Sequence, residues 1–135
     1  MKSPMNEKNI PKPNERCYIS APIFGAEKRV RLANFRTGKW IAENNGWYPV
    51  APPDIPPLSH QGPCPTGRRG AETNHNEGCH FRANIAILTK CDSILMMPGW
   101  ISSWSCKFEL EIAAVCGLQV WAAITDDMNW SAIQL

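Results

Sequence analysis

The stretch Cys91–Gly99, CDSILMMPG, constrains this chain more than any other. It is apolar from Ile94 to Met97, without alternation, and stops at Pro98-Gly99. A strand with one wet face alternates apolar and polar residues. A strand covered on both faces does not, and such strands belong to parallel sheets flanked by helices. The rest of the chain supplies the other parts. RCYISAPIFG is a short apolar run ended by Pro22 and Gly25 and predicts a first strand. AEKRVRLANFRTGKWIAENNG predicts a helix, with Val30, Ala33, Phe35, Trp40 and Ile41 as its apolar stripe and Asn45-Gly46 as its stop.

WYPVAPP predicts a second strand, and the Pro/Gly-rich stretch from Ala51 to about Gly78 a long loop. CHFRANIAILTK carries Phe81, Ile85 and Leu88 at helical spacing. SWSCKFELEIAAVCG predicts a further helix, with Phe108, Ile112 and Val115 on one face and Gly117 at its end. LQVWAAIT predicts a fourth strand, and DDMNWSAIQL a short turn or helix. The order β-α-β-loop-α-β-α-β predicts an α/β three-layer sandwich with a mostly parallel sheet of four or five strands, Rossmann- or flavodoxin-like. Ligands of such sheets sit at the carboxyl ends of the strands.

At 135 residues the chain is one domain by length. Prolines cluster in the first 15 residues, which predicts a disordered leader ahead of a domain over 16–135. A net charge of +2 gives no electrostatic case for nucleic acid. No apolar window is long enough to cross a membrane, and the opening MKSPMNEKNIPKPNER has no apolar core of a signal peptide. The six cysteines are then expected to be reduced in a cytoplasmic protein, with Cys17, Cys91 and Cys116 as small core residues.

The predicted rim gathers SAPIFG, PGWISSW and the start of the helix from about Ser105. Glu109 falls in the first turns of that helix, near the crevice. Glu111, two residues on, points to another side and is expected to face solvent or a sheet-side neighbour. Either glutamate, taken alone, is most simply a solvated helix residue. Ser102 and Ser103 fit helix capping or a phosphate cradle equally. Trp100 and Trp104 suit stacking on a ligand ring, a lid or a subunit contact. Asp92 suits capping at the start of its strand. His60, Cys64, His75, Cys79 and His80 crowd the long loop, but adjacent Cys79-His80 is awkward for one tetrahedral ion and no C-x-x-C is present, so neither metal nor cofactor is expected. Arg68 and Arg69 in that loop read as solvated or as an anion clamp.

YISAPIFG, CDSILMMPGWISS and KFELEIAAVCG together resemble the nucleoside deoxyribosyltransferase superfamily, closest to a group of small phage and bacterial domains within it. The resemblance runs from about Cys17 to Trp121. It implies that Glu109 is the nucleophile on the anomeric carbon of a (deoxy)ribosyl group and that Tyr18 holds it. An oxocarbenium-like transition state is well served by such a carboxylate. It implies substrate contacts from the matched rim residues Ser20, Pro22, Phe24, Gly99 and Trp100. Asn84 stands where transferases carry an aspartate near the base; an amide hydrogen-bonds a base but cannot protonate it. Ser103, six residues before Glu109, matches the serine of members acting on 5′-monophosphates, with Ser102 beside it, and Arg82 lies where a basic residue is frequent. The loop after the first strand, APIFGAEKR, departs from the Arg/Gly-rich loop of the nucleotide hydrolases.

The resemblance thus implies an enzyme cleaving or transferring at the N-glycosidic bond of a (deoxy)nucleoside 5′-monophosphate, or alternatively a non-catalytic nucleotide-binding protein. It implies a small-molecule partner, no membrane or nucleic acid, and a homodimer or larger homo-oligomer. There a neighbour's C-terminal segment, through Asp126, Asp127 or Asn129, would complete the site.

Overall fold

The computed structural model describes residues 15–55, 77–127 and 129–135. The predicted leader and most of the Pro/Gly-rich loop, including His60, Cys64, Arg68, Arg69 and His75, lie outside these residues. The elements are β1 (Arg16–Ser20), α1 (Lys28–Asn44), β2 (Tyr48–Val50), α2 (Glu77–Leu88), β3 (Ser93–Met96), α3 (Trp104–Val115), β4 (Gln119–Asp126) and β5 (Asn129–Gln134). Short 3-10 turns occupy Pro52–Asp54 and Trp100–Ser102.

The sheet order is β2-β1-β3-β4-β5, parallel throughout except for β5, which runs antiparallel to β4. This is the predicted α/β sandwich, in its flavodoxin-like strand order. β3 sits at the centre, and every residue from Ser93 to Met97 is buried, as its unbroken apolar run requires. Two cores flank the sheet. Cys17, Ile19 and Ala21 of the β1 segment meet Phe35, Ile41 and Ala42 of α1 on one face. Tyr18, Ile94 and Met96 meet Leu88 of α2 and Cys106 and Ala113 of α3 on the other. The alternation along β1 therefore sends odd positions to α1 and even positions to α3. Asp92 has the expected structural role: its Oδ2 accepts from Arg16 N at 2.9 Å, extending the β1–β3 ladder by one step.

The structure corrects four sequence expectations. The C-terminal segment is a strand, because Trp130 and Ala132 pack with Ala123 on the α1 side while the backbone completes a hairpin with β4. The buried face of α1 is Phe35, Gly38, Ile41 and Ala42, whereas Val30 and Trp40 are about half exposed. The buried face of α3 is Ser105, Cys106, Glu109 and Ala113; of the predicted stripe Ile112 packs partly buried against the core, while Phe108 is 53% and Val115 88% exposed. Cys116, just past the last turn of α3, is exposed, while Cys17 and Cys91 are buried as expected. Gly117 closes α3 as predicted: Leu118 N–H bonds to Ala113 O at 2.9 Å.

Gly38 lets α1 lie directly on the sheet. A Cβ there would stand 2.4 Å from Ile19 Cγ2 and 3.1 Å from Met97 Sδ. Gly38→Ala is therefore expected to destabilise the protein by about 1–3 kcal/mol of overpacking, partly offset by about 1 kcal/mol of helix propensity. Urea unfolding of the two proteins checks this; equal or greater stability of the variant would refute the close contact.

Candidate active site

β1 and β3 mark the switch point of the sheet: from β1 the chain turns outward to β2, then crosses back to β3 on the other side. At such a point the loops diverge and leave a crevice at the carboxyl ends. Met97 N–H bonds to Ser20 O at 2.8 Å and holds the two strand ends together. The chain then turns through Gly99, at φ +91, where a Cβ would lie 3.2 Å from Pro22 Cγ. A side chain at 99 would be strained by its φ and pressed against the loop leaving β1.

Tyr18 and Ser20, two apart on β1, point to the same face and meet α3. Glu109, one turn into α3, is 2% exposed. Tyr18 Oη donates to Glu109 Oε2, and Ser20 Oγ donates to Oε1 at 2.8 Å. Both carboxylate oxygens are thus held by hydroxyls from a strand some 90 residues earlier in sequence. A buried carboxylate would otherwise lose its hydration without replacement. Burial pushes the Glu109 carboxyl up to about 7 against the pull of the two hydroxyls, so desolvation outweighs the hydrogen bonds. Burial and the neighbouring carboxylate push Tyr18 well above its ordinary range, which keeps it a proton donor to Glu109.

Ser103 caps α3: its Oγ accepts from Cys106 N at 3.3 Å and lies 3.1 Å from Ser105 Oγ. Ser102 is exposed, Asn84 is buried on α2, Arg82 is exposed and Trp100 is half-buried against the α2–α3 core. Glu111 faces solvent as expected. The structure joins Tyr18, Ser20 and Glu109 by hydrogen bonds and packs Pro22 near Gly99. Phe24 stacks on Trp104 at 5.3 Å between ring centroids with planes 10° apart. Phe81 and Phe108 flank the same indole at 5.2 and 6.2 Å. This aromatic cluster bridges the loop after β1, the first turns of α2 and the start of α3. Ser102 N–H bonds to Gly99 O at 3.2 Å, and the side chains of Arg82 and Ser102 form no hydrogen bond or ion pair with another described residue.

Two participants are not evident from sequence. Ser105 and Cys106 lie on the buried side of α3 just before Glu109; their only sequence signal is spacing, one turn ahead of the carboxylate. Burial raises the Cys106 thiol, with the Ser103 and Ser20 hydroxyls opposing. Phe81 and Phe108 are gathered around Trp104 rather than set in a core stripe. Among the described residues no group of three or more His, Cys, Asp or Glu is placed to hold a metal ion, and no helix is long and apolar enough to cross a membrane.

The raised Glu109 makes stability pH-dependent with a definite sign. The folded state holds the Glu109 proton up to about pH 7, the unfolded chain only to about 4.5. Stability from this group is complete below about 4.5, falls as pH rises towards 7, and is level above; at 1.36 kcal/mol per unit the loss is on the order of 3 kcal/mol. Glu109→Gln cannot ionise. Its stability relative to the native protein should therefore rise between pH 4.5 and 7, as read from chemical unfolding at each pH. A difference independent of pH would show that Glu109 is not desolvated in this way.

No curated protein and no solved structure significantly matches the chain. One family does: that described as "Domain of unknown function (DUF4406)", over residues 15–122. The match begins just before β1 and ends within β4, so it includes Tyr18, Ser20, Glu109 and the whole rim between them. With most of its length matched in this way, the chain belongs to that family.

Proposed function

We propose that this protein cleaves or transfers at the N-glycosidic bond of a (deoxy)nucleoside 5′-monophosphate, with Glu109 as nucleophile. The observation that carries the proposal is the doubly hydrogen-bonded, buried Glu109 at the switch point of the sheet. The motif resemblance to the nucleoside deoxyribosyltransferases supports the same role. In the first step a Glu109 carboxylate oxygen bonds to the anomeric carbon as the bond to the base breaks, and the electron pair leaves with the base. In the second, water or an acceptor base displaces Glu109 from that carbon. Tyr18 and Ser20 fix the carboxylate's orientation and share its charge. Phe24 and Trp104 offer aromatic surface to a base, and Gly99 and Pro22 shape the approach.

Arg82, Ser102, Ser103 and the first N–H groups of α3 are the groups assigned to the 5′-phosphate. Ser103 would serve there while retaining its capping bond. Asn84 would hydrogen-bond the base without protonating it, so the base must leave with a proton from solvent or as an anion. That residue favours a second reading, in which the same crevice binds a nucleotide without turnover.

The purified protein, incubated with ribo- and deoxyribonucleosides and their 5′-monophosphates, with and without an acceptor base, is expected to release free base from the monophosphates. Glu109→Ala should lose at least about 10³-fold, and Tyr18→Phe about tenfold, in keeping with removal of a nucleophile and of one of its holders. The rate should rise with pH through about 7, because the nucleophile must be ionised. Release that survives Glu109→Ala would remove the mechanism. Absence of release, with a nucleotide-dependent rise in melting temperature, would leave the binding reading.

A further inference from the structure

The two edges of the sheet are built differently. β2, at one edge, is three residues long with Pro49 at its middle. Short length and proline are ordinary means of blunting an edge. β5, at the other, runs six residues from Asn129 to Gln134 in unbroken register with β4, so no bulge interrupts it. From Asn129 to Leu135 it carries no charged side chain and no proline. Among the described residues nothing pairs with its outer side.

The register tells which groups point outward. Leu135 N–H bonds to Val120 O, so Leu135 belongs to a hydrogen-bonded pair, as do Ile133, Ser131 and Asn129 at two-residue intervals. The N–H and C=O groups of Trp130, Ala132 and Gln134 therefore face away from β4. On the face opposite α1, Ile124, Ile133 and Leu135 are 38%, 44% and 63% exposed. α3 packs chiefly on β3 and β4.

We propose that β5 pairs antiparallel with β5 of a second copy of this chain about a two-fold axis, joining the two sheets into one. Two features favour a second copy as the occupant. A row of unpaired backbone donors and acceptors is complementary to another strand, and an antiparallel strand can meet itself in a closed, isologous contact. The charge pattern also permits it. With Ala132 facing the partner's Ala132 on the axis, Trp130 faces the partner's Gln134, and each of these pairs exchanges two backbone hydrogen bonds.

No charge lies opposite another in this alignment. Asp126 and Asp127 sit beyond one end of β5, and the partner's pair sits beyond the other. The small Ala132 leaves the axis unobstructed. Ser131 faces the partner's Ile133, and the two Ile133 side chains lie diagonally across the axis, within reach of each other. In this assembly the two carboxyl rims open at opposite ends of the joined sheet. The pairing uses none of Tyr18, Ser20 or Glu109, and the proposal is independent of what that site does.

Sedimentation equilibrium over a micromolar concentration series should show a species of twice the 15.1 kDa chain mass. Ala132→Pro removes an outward N–H and no bond to β4, and Ile133→Lys sets like charges diagonally across the axis. Both should weaken association at least tenfold with an unchanged circular dichroism spectrum. If Ala132→Pro misfolds, Ile133→Lys decides. Hydrogen exchange should find the Trp130, Ala132 and Gln134 amides slow in the dimer and fast in Ile133→Lys. A monomer at every concentration, a dimer indifferent to Ile133→Lys, or protection of those amides that persists in a monomer would each overturn the proposal.

Discussion

One buried carboxylate organises this molecule. Glu109 sits in the interface between the central sheet and α3, where water cannot solvate it, and the sheet answers with Tyr18 and Ser20. Such an arrangement is costly to build: the two hydroxyls offset only part of the desolvation, and the carboxyl titrates near neutral pH instead of among ordinary acids. A chain that retains this arrangement in place of an apolar contact stores chemical potential at that point, consistent with the proposed function.

The rest of α3 adapts to that contact. To bring Glu109 within hydrogen-bond reach of β1, the helix turns small and polar residues inward: Ser105, Cys106 and Ala113. Phe108 and Val115 are thereby directed away from the sheet, while Leu110 and Ile112 pack partly buried beside its core. Phe108 finds an edge contact with Trp104, which itself stacks on Phe24 from the loop after β1. The aromatic cluster at the rim is thus linked to the burial of Glu109, since both follow from the rotation of α3. Val115, in the last turn, has no comparable neighbour and remains exposed.

Much of the fold was legible from local pattern. The unbroken run at Ile94–Met97 marked the doubly covered central strand, and alternation of strands with helices marked the parallel sheet. Glu109, Tyr18, Phe24 and Gly99 lay in segments recognisable by motif. Other features were not legible. β5 was missed because NWSAIQ has only weak alternation, and its pairing depends on β4 being an open edge. Phe35 and Ile41 of the predicted stripe are buried in α1, but the inward placing of Gly38 and Ala42 beside them was not legible, because a glycine carries no apolar signal although here it lets helix and sheet approach closely.

The sequence by itself determined the layered α/β architecture and the position of a carboxylate at the start of a rim helix. Both follow from periodicities that are local: two residues for a strand, 3.6 for a helix, and the breakers between them. Only the tertiary structure decided which side of α3 faces inward and which hydroxyls hold Glu109. Apolar spacing reports how much surface a helix could bury, and on that measure Phe108 and Val115 should have turned inward. The choice was made by partners 89 and 91 residues away along the chain, because a buried charge selects the orientation in which its lone pairs are met.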